Sequence, residues 1–348
     1  MRDPYALIRP LLFRLEPERA HALAFAWGRF LQAMPGFGGA AAALSGGGLP
    51  GLRRSVAGLD FPTPLGLAAG LDKGAELLPF WKGLGFGHVE IGTVTPRPQP
   101  GNPQPRIFRL PEEGLLLNRM GFNSEGAEVV ARRLRDRPAG LRVGGNLGKN
   151  KETPDEGALE DYCASYRLIA PLVDYVALNV SSPNTPGLRR LQAPEALKPL
   201  LNGVLGLRKE MGLEARPLFL KLAPDLGQEE LEATVGVAAA SGISGIIATN
   251  TTLDRGIVVQ ALRPRVEAWG AGGLSGRPLA AKARSVRLRI LELLGGRLPL
   301  IACGGLSSPE EARAALGDGA ALLQIYTALI FQGPGLVRRI NECLSAAR

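Results

Sequence analysis

The sequence predicts an α/β protein: a (β/α)8 barrel with a small helical extension at its N-terminus. Three observations carry that prediction. From residue 60 onward eight short apolar runs alternate with helical stretches, the pattern of a parallel sheet closed on itself. Nearly every run ends in glycine, an amide or a hydroxyl residue, and in a barrel those C-terminal ends face one common site. The 348 residues, 45% of them hydrophobic, suffice to bury one large core.

Residues 4–34 read as helical. Pro10 is expected to divide them, because proline inside a helix removes a hydrogen bond and clashes with the preceding turn. The second piece opens at Glu16-Pro17-Glu18, with proline and acids in the first turn. Ala20, Leu23, Ala24, Trp27, Leu31 and Met34 then recur at helical spacing. Apolar helices flanked by Arg9 and Arg14 form either a hairpin packed on the main domain or an element that dips into a membrane. The tract "GFGGAAAALSGGGLPGL", residues 36–52, reads as a flexible linker. The boundary between an N-terminal segment, 1–48, and the barrel, 49–348, is placed there.

The eight expected strands are 65–69, 88–92, 142–147, 175–180, 217–222, 245–249, 298–303 and 321–326. Helices are expected over 155–170, 194–211, 228–240, 277–294 and 309–316, the last with Ser308 as N-cap and Glu311 completing a capping box. The loop after the second strand, "TPRPQPGNPQPRIFRLPEEGLLLNRMGFNSEG", is too rich in proline for a helix. Within it "RIFRL" and "GLLLNRMGF" pair as a hairpin over the strand ends, and loops of this length serve as lids or binding loops.

The strand ends define a candidate site. Gly304-Gly305 after the seventh strand and Tyr326-Thr327 after the eighth suit a phosphate, held by backbone N–H groups. Asn118, Asn179, Asn184 and Asn250 together could read a planar ligand with alternating donors and acceptors. Lys221, ending the fifth strand, has three readings: a lysine reaching solvent, a Schiff-base nucleophile, or a fixed positive charge beside a ligand that becomes an anion. "NVSSPNTPG", residues 179–187, places serines at a strand end in a chain with two histidines, His21 and His88.

Composition narrows the function classes. The net charge is +9, yet zinc-finger spacing, RNA-binding aromatic motifs and long basic blocks are absent, which argues against nucleic acid. Three scattered cysteines without CxxC argue against a disulfide framework and a zinc site. No run of about 18 apolar residues suggests a spanning helix, and no signal-peptide pattern opens the chain.

The motifs "AAGLDK", "EIGTVTPRPQPGNPQPRIFRL", "NRMGFNS", "NLGKNK", "NVSSPNTPGLR", "KLAPDL", "IATNTTLDR", "GGLSGRPL" and "QIYTALIFQGP" occur in that order over residues 65–334. In these the chain resembles the quinone-dependent, class 2 dihydroorotate dehydrogenases, and "LEPERAH" resembles their helical extension. The resemblance implies a barrel with one FMN per chain that oxidises (S)-dihydroorotate to orotate in de novo pyrimidine synthesis. A membrane quinone would take the electrons. It implies FMN contacts from Ala69, Gly70 and Lys73 after the first strand and from Thr93, Asn146 and Asn179 after the next three. Lys221, Thr249 and Gly276 would follow, with Gly305, Tyr326 and Thr327 at the phosphate end. Substrate contacts would come from Lys73, from Asn118, Arg119, Met120, Gly121 and Phe122, and from Asn179, Asn184, Asn250 and Thr251. Ser182 aligns with the catalytic base; His21, Arg106 and Tyr326 would border the quinone site under the N-terminal helices; no metal is implied. The resemblance further implies peripheral attachment to the cytoplasmic face of a bacterial inner membrane, with no nucleic acid and no obligate protein partner. Rival readings are another FMN barrel, such as a 2-hydroxy acid oxidase or a tRNA dihydrouridine synthase, a flavin-free lyase or aldolase using Lys221, and a membrane-associated binding barrel.

Overall fold

The computed structural model describes residues 4–45 and 49–346. At its centre eight parallel strands close in sequence order: β1 (Leu65–Leu67), β2 (His88–Val94), β3 (Arg142–Leu147), β4 (Tyr175–Asn179), β5 (Leu218–Leu222), β6 (Gly245–Ala248), β7 (Leu300–Cys303) and β8 (Leu322–Ile325). The ring is sealed by β8 against β1, with Leu323 opposite Leu65. All eight coincide with the expected runs, because strands buried on both faces read as continuous apolar stretches. β2 runs two residues further than expected, through an irregular register against β3 between Ile91 and Val94. The chain is thus the expected (β/α)8 barrel, with helices between successive strands.

The barrel floor is a row of aromatic rings made possible by glycines. His88 and Tyr175 meet edge-on at 6.3 Å, and Tyr175 and Phe219 at 5.4 Å. A Cβ on Gly66 would fall within the His88 imidazole, and one on Gly144 within the Tyr175 phenol; one on Gly245 would lie 2.6 Å from Phe219. The short hairpin Arg54–Val56 and Leu59–Phe61, not foreseen in the sequence, closes this floor with Phe61 at 5.3 Å from His88. Burial pushes the His88 imidazole down to about 4, so it stays neutral beneath the core.

Over the opposite end lies a three-stranded antiparallel sheet. The expected hairpin, Ile107–Leu110 with Leu115–Asn118, is there, and Gly273–Gly276 adds a third strand that the sequence did not reveal. Leu110, Leu115, Leu117, Val258, Val266 and Leu274 form a small core of their own beneath it. At the helix Pro309–Gly317, Ser308 caps the Glu311 N–H at 3.2 Å. The Glu311 carboxylate reaches the backbone of Ser307 rather than of Ser308, so the box closes one residue early.

Three helices precede the barrel: α1 (Pro4–Leu12), α2 (Pro17–Gln32) and α3 (Phe37–Ser45). Two expectations need correction. Pro10 lies inside α1 and does not divide the helices; the break falls after Leu12 instead. In so short a helix its missing N–H forfeits a single bond. The presumed linker is largely helical, since "AAAA" has the highest helix propensity and Phe37 stacks on Phe80 at 5.8 Å. The domain boundary expected at residue 48 falls in 46–48, outside the described residues. α2 buries Phe25 and Gly28, with Phe25 at 6.3 Å from Trp81. Its outer side differs. Of twelve exposed large hydrophobic residues among those described, eight lie between Leu7 and Met34, including Leu7 at 72%, Leu11 at 62% and Trp27 and Phe30 at 59% each. No described helix is long and apolar enough to cross a membrane.

Gly144→Ala should lower stability by about 1–3 kcal/mol through overpacking, seen as a lower melting temperature. Gly206→Ala, on a helix face with nothing within 4 Å of the new methyl, should leave it equal or slightly higher.

Candidate active site

A cavity of about 530 Å³ opens at the C-terminal ends of the strands. Its floor rests on a charge inside the barrel. Glu90, midway along β2, is 0% exposed and accepts four hydrogen bonds. The donors are Gln324 Nε2 at 2.7 Å, Asn146 Nδ2 at 2.8 Å, Lys221 Nζ at 3.2 Å and Tyr175 OH at 3.3 Å. A buried carboxylate persists only when paired and hydrogen-bonded in this way. Burial alone would lower the Lys221 pKa, but the Glu90 carboxylate opposes it and the net shift is upward. Lys221 therefore meets the cavity as an ammonium ion. It is buried rather than solvent-reaching, and its pairing with Glu90 favours the charged amine over the neutral one that a Schiff-base nucleophile needs. Burial pushes up the Cys303 thiol, which disfavours the reactive thiolate.

From Glu90 a chain of polar groups climbs to the cavity mouth. Asn146 Oδ1 accepts from Thr93 Oγ1 at 2.6 Å and from Asn179 Nδ2 at 3.2 Å. Asn179 Oδ1 accepts from Ser181 Oγ at 3.0 Å, and Ser181 Oγ accepts from Asn250 Nδ2 at 2.9 Å. The buried serine Ser182 lines the cavity, and its Oγ accepts the Asn184 N–H at 3.2 Å. Asn184 Nδ2 donates to Asn118 Oδ1 at 3.0 Å, joining the loop after β4 to the covering sheet.

The other end of the cavity is glycine-lined. Gly276, Gly304 and Gly305 have φ of 103°, 90° and 74°, a region that disfavours side chains. A Cβ on Gly276 would strike the Gly114 carbonyl, and one on Gly305 the Ala280 backbone. Thr327 Oγ1 donates to Ser275 Oγ at 2.8 Å beside them. The buried hydroxyls of Thr249 and Thr251 line the same cavity with no protein partner.

A second cavity, about 350 Å³, lies between α2 and the barrel and includes His21, Phe25, Gln99, Arg106 and Glu125. His21 packs on Phe25 at 4.2 Å, and Arg106 pairs with Glu18 of α2 at 2.9 Å. Burial, then the charge of Lys73, lowers His21 to about 4. Lys73 lines both cavities and is held down to about 8, first by burial and then by the Arg106 charge.

Most residues singled out in the sequence line the first cavity: Ala69, Gly70 and Lys73; Thr93 and Asn118; Met120 to Phe122; Asn179 to Asn184 in part; Lys221; Thr249 to Thr251; Gly276, Gly305, Tyr326 and Thr327. Three are placed differently. Asn146 stands behind Thr93 and Asn179 and touches the cavity only through them. The Arg119 side chain turns outward, to the carbonyls of Pro105 and Ala271, each at 3.1 Å, and over the Phe108 ring. Tyr326 is apart from His21 and Arg106: it borders the first cavity, its hydroxyl 3.4 Å from the Gly70 carbonyl. Glu90 and Gln324 were missed; the one hint was an acid inside the apolar run "HVEIGTV".

The profile of the family described as dihydroorotate dehydrogenase matches residues 51–347. The chain belongs to the dihydroorotate dehydrogenase family. Among relatives, the dihydroorotate dehydrogenase (quinone) of Roseiflexus castenholzii is 48% identical, covering 98% of this chain and 92% of that one. That of Methylococcus capsulatus is 47% identical and covers 98% of both. Among solved structures, the dihydroorotate dehydrogenase of Eimeria tenella in complex with ferulenol superposes with a TM-score of 0.84 at 34% identity, covering 96% of this chain and 93% of that one. A match over 98% of this chain is too long to be confined to the barrel, so the family likeness extends into the N-terminal segment.

Glu90→Gln keeps the shape but leaves the Lys221 charge unpaired. Unfolding in urea should show a loss of about 3–5 kcal/mol, the cost of breaking a buried ion pair from one side.

Proposed function

We propose that this chain oxidises dihydroorotate to orotate in pyrimidine biosynthesis and delivers the electrons through FMN to a membrane quinone. The observation that carries the reading is one cavity uniting three features. An amide cluster at Asn118, Asn179, Asn184 and Asn250 suits a planar pyrimidine. A fixed ammonium group at Lys221 sits at the floor, and a glycine-walled end suits a phosphate. The donor set fits FMN: the unpartnered Thr249 hydroxyl faces the cavity, and no side chain at Gly276 or Gly305 obstructs the phosphate end. Ala69, Gly70, Thr93, Lys221, Thr249, Gly276, Gly305, Tyr326 and Thr327 would hold it, with Asn146 acting from behind. When bound, FMN supplies the hydride acceptor.

The chain's own residues do the rest. The asparagines and Thr251 fix the substrate ring, and Lys73 meets its carboxylate, which draws the lysine back toward full charge. Ser182 Oγ takes the proton from the substrate carbon and releases its own hydroxyl proton to water. A hydroxyl is a weak base, so this transfer depends on placement, and the Asn184 N–H supplies part of it. The ammonium of Lys221 stabilises negative charge developing above it.

The second cavity, with His21 and Arg106 and with Lys73 as a shared wall, is our candidate for the quinone site. The apolar ridge of α1 and α2 would rest on the cytoplasmic face of the inner membrane, giving a lipid-soluble quinone a short route.

The visible spectrum of the purified protein, taken anaerobically before and after dihydroorotate, tests the reading: a flavin band should be present and should bleach. Ser182→Ala should retain the band yet bleach several orders of magnitude more slowly. A persistent band in the unaltered protein would overturn the substrate, and a colourless protein the cofactor. For the membrane, replacing Leu11 and Trp27 by Asp should reduce co-sedimentation with lipid vesicles and slow reoxidation by quinone. Bleaching by dihydroorotate should stay unchanged.

A further inference from the structure

Arg189 stands behind the reacting groups without lining either cavity. It lies in the short turn Leu188–Gln192 that follows the serine loop. Its guanidinium donates from Nε to the Ser181 carbonyl at 3.0 Å, from Nη2 to the Thr251 carbonyl at 2.9 Å and from Nη1 to Asp225 Oδ2 at 2.8 Å. The three acceptors belong to three different loops, those after β4, β6 and β5. Asp225 is itself fixed by Lys282 Nζ at 2.9 Å, by the Leu253 N–H at 2.9 Å and by the Thr252 hydroxyl. One carboxylate and one guanidinium thus clamp three active-site loops together.

Each held carbonyl bears on the chemistry. The Ser181 carbonyl begins the peptide unit whose nitrogen belongs to Ser182, so holding it fixes where the Ser182 side chain starts. Thr251 carries one of the two unpartnered hydroxyls that line the cavity. The clamp therefore sets the base and a substrate contact in one frame. A guanidinium presents its donors as a rigid planar fork, whereas a lysine offers a single ammonium on a flexible stem. The fork holds its three acceptors from three separate nitrogens in a fixed geometry, which the three rotatable donors on one ammonium nitrogen do not impose.

We propose that Arg189, fixed by Asp225, is a positioning residue that sets Ser182 against the substrate by locking the loop after β4 to the loops after β5 and β6. The proposal rests on Ser182 being the base. Displacing a reacting group by about 1 Å costs on the order of 100-fold in rate, whereas a general brace would affect the protein whether or not Ser182 is present.

The test is a double-mutant cycle on the flavin-loaded protein, with anaerobic stopped-flow bleaching by dihydroorotate as the rate and the flavin absorbance as a measure of cofactor content. Arg189→Lys should slow bleaching by roughly 10- to 100-fold, with cofactor content unchanged. In the Ser182→Ala background the same change should cost less than about 3-fold, because residues acting as a unit are non-additive. Asp225→Asn, which keeps the shape but frees the guanidinium, should repeat the pattern and serves if Arg189→Lys fails to fold. Equal losses in both backgrounds would overturn the proposal and make Arg189 a general brace, leaving the Ser182 reading intact. If Ser182→Ala bleached as fast as the unaltered protein, the Ser182 reading would fail and this proposal with it.

Discussion

The buried pair of Glu90 and Lys221 is the constraint around which the barrel is arranged. A carboxylate withdrawn from water is costly unless its oxygens are fully occupied. Here the occupants come from β3, β4, β5 and β8, so meeting the needs of one charge on β2 ties five of the eight strands together. The same pair fixes what the cavity can do. Glu90 beside it favours the protonated form of Lys221, so the floor presents positive charge to a ligand above. The amide chain that begins at Asn146 continues this order upward, each side chain oriented by the one below it.

The barrel was legible in the sequence because its strands are buried on both faces and stand apart from the helices as apolar runs. The site was legible because polar residues closed those runs in phase. What escaped notice follows from contacts distant in sequence. The strand Gly273–Gly276 is too short and glycine-rich to announce itself and exists through its pairing with Leu115–Asn118. The floor hairpin depends on aromatic rings from β2, β4 and β5. α3 was obscured by its glycines, although its alanine run and Phe37 favour a helix. Arg119 was named as a substrate contact through the resemblance, whereas its side chain, just past the end of the strand Leu115–Asn118, is held outward by the carbonyls of Pro105 and Ala271. Glu90 was overlooked because an acid within an apolar run becomes intelligible only once its four donors are known.

The two cavities meet at a single side chain. Lys73 borders the asparagine-lined site on one side and the His21–Arg106 site on the other, and Arg106 is in turn held by Glu18 from α2. Charge placed on either side of Lys73 is felt by the other. Its lowered proton affinity, caused by burial and then by Arg106, makes it responsive to such a change in a way that Lys221 is not. The barrel thus holds one lysine whose charge is fixed and one whose charge answers to its neighbours.

The sequential order of the ring has a consequence for how the protein comes into being. The Tyr326 hydroxyl approaches the Gly70 carbonyl across 256 residues of sequence, and β1 and β8 pair through a short ladder beside it. Contacts so remote in the chain form late, after the loop between them has been ordered. On the ribosome, the first seven strands would emerge as an open, curved sheet with two unpaired edges, both apolar. The cavity wall made by Gly70 and Tyr326 would be missing until almost the whole chain had appeared. Closing the ring with β8 is thus what removes both sheet edges.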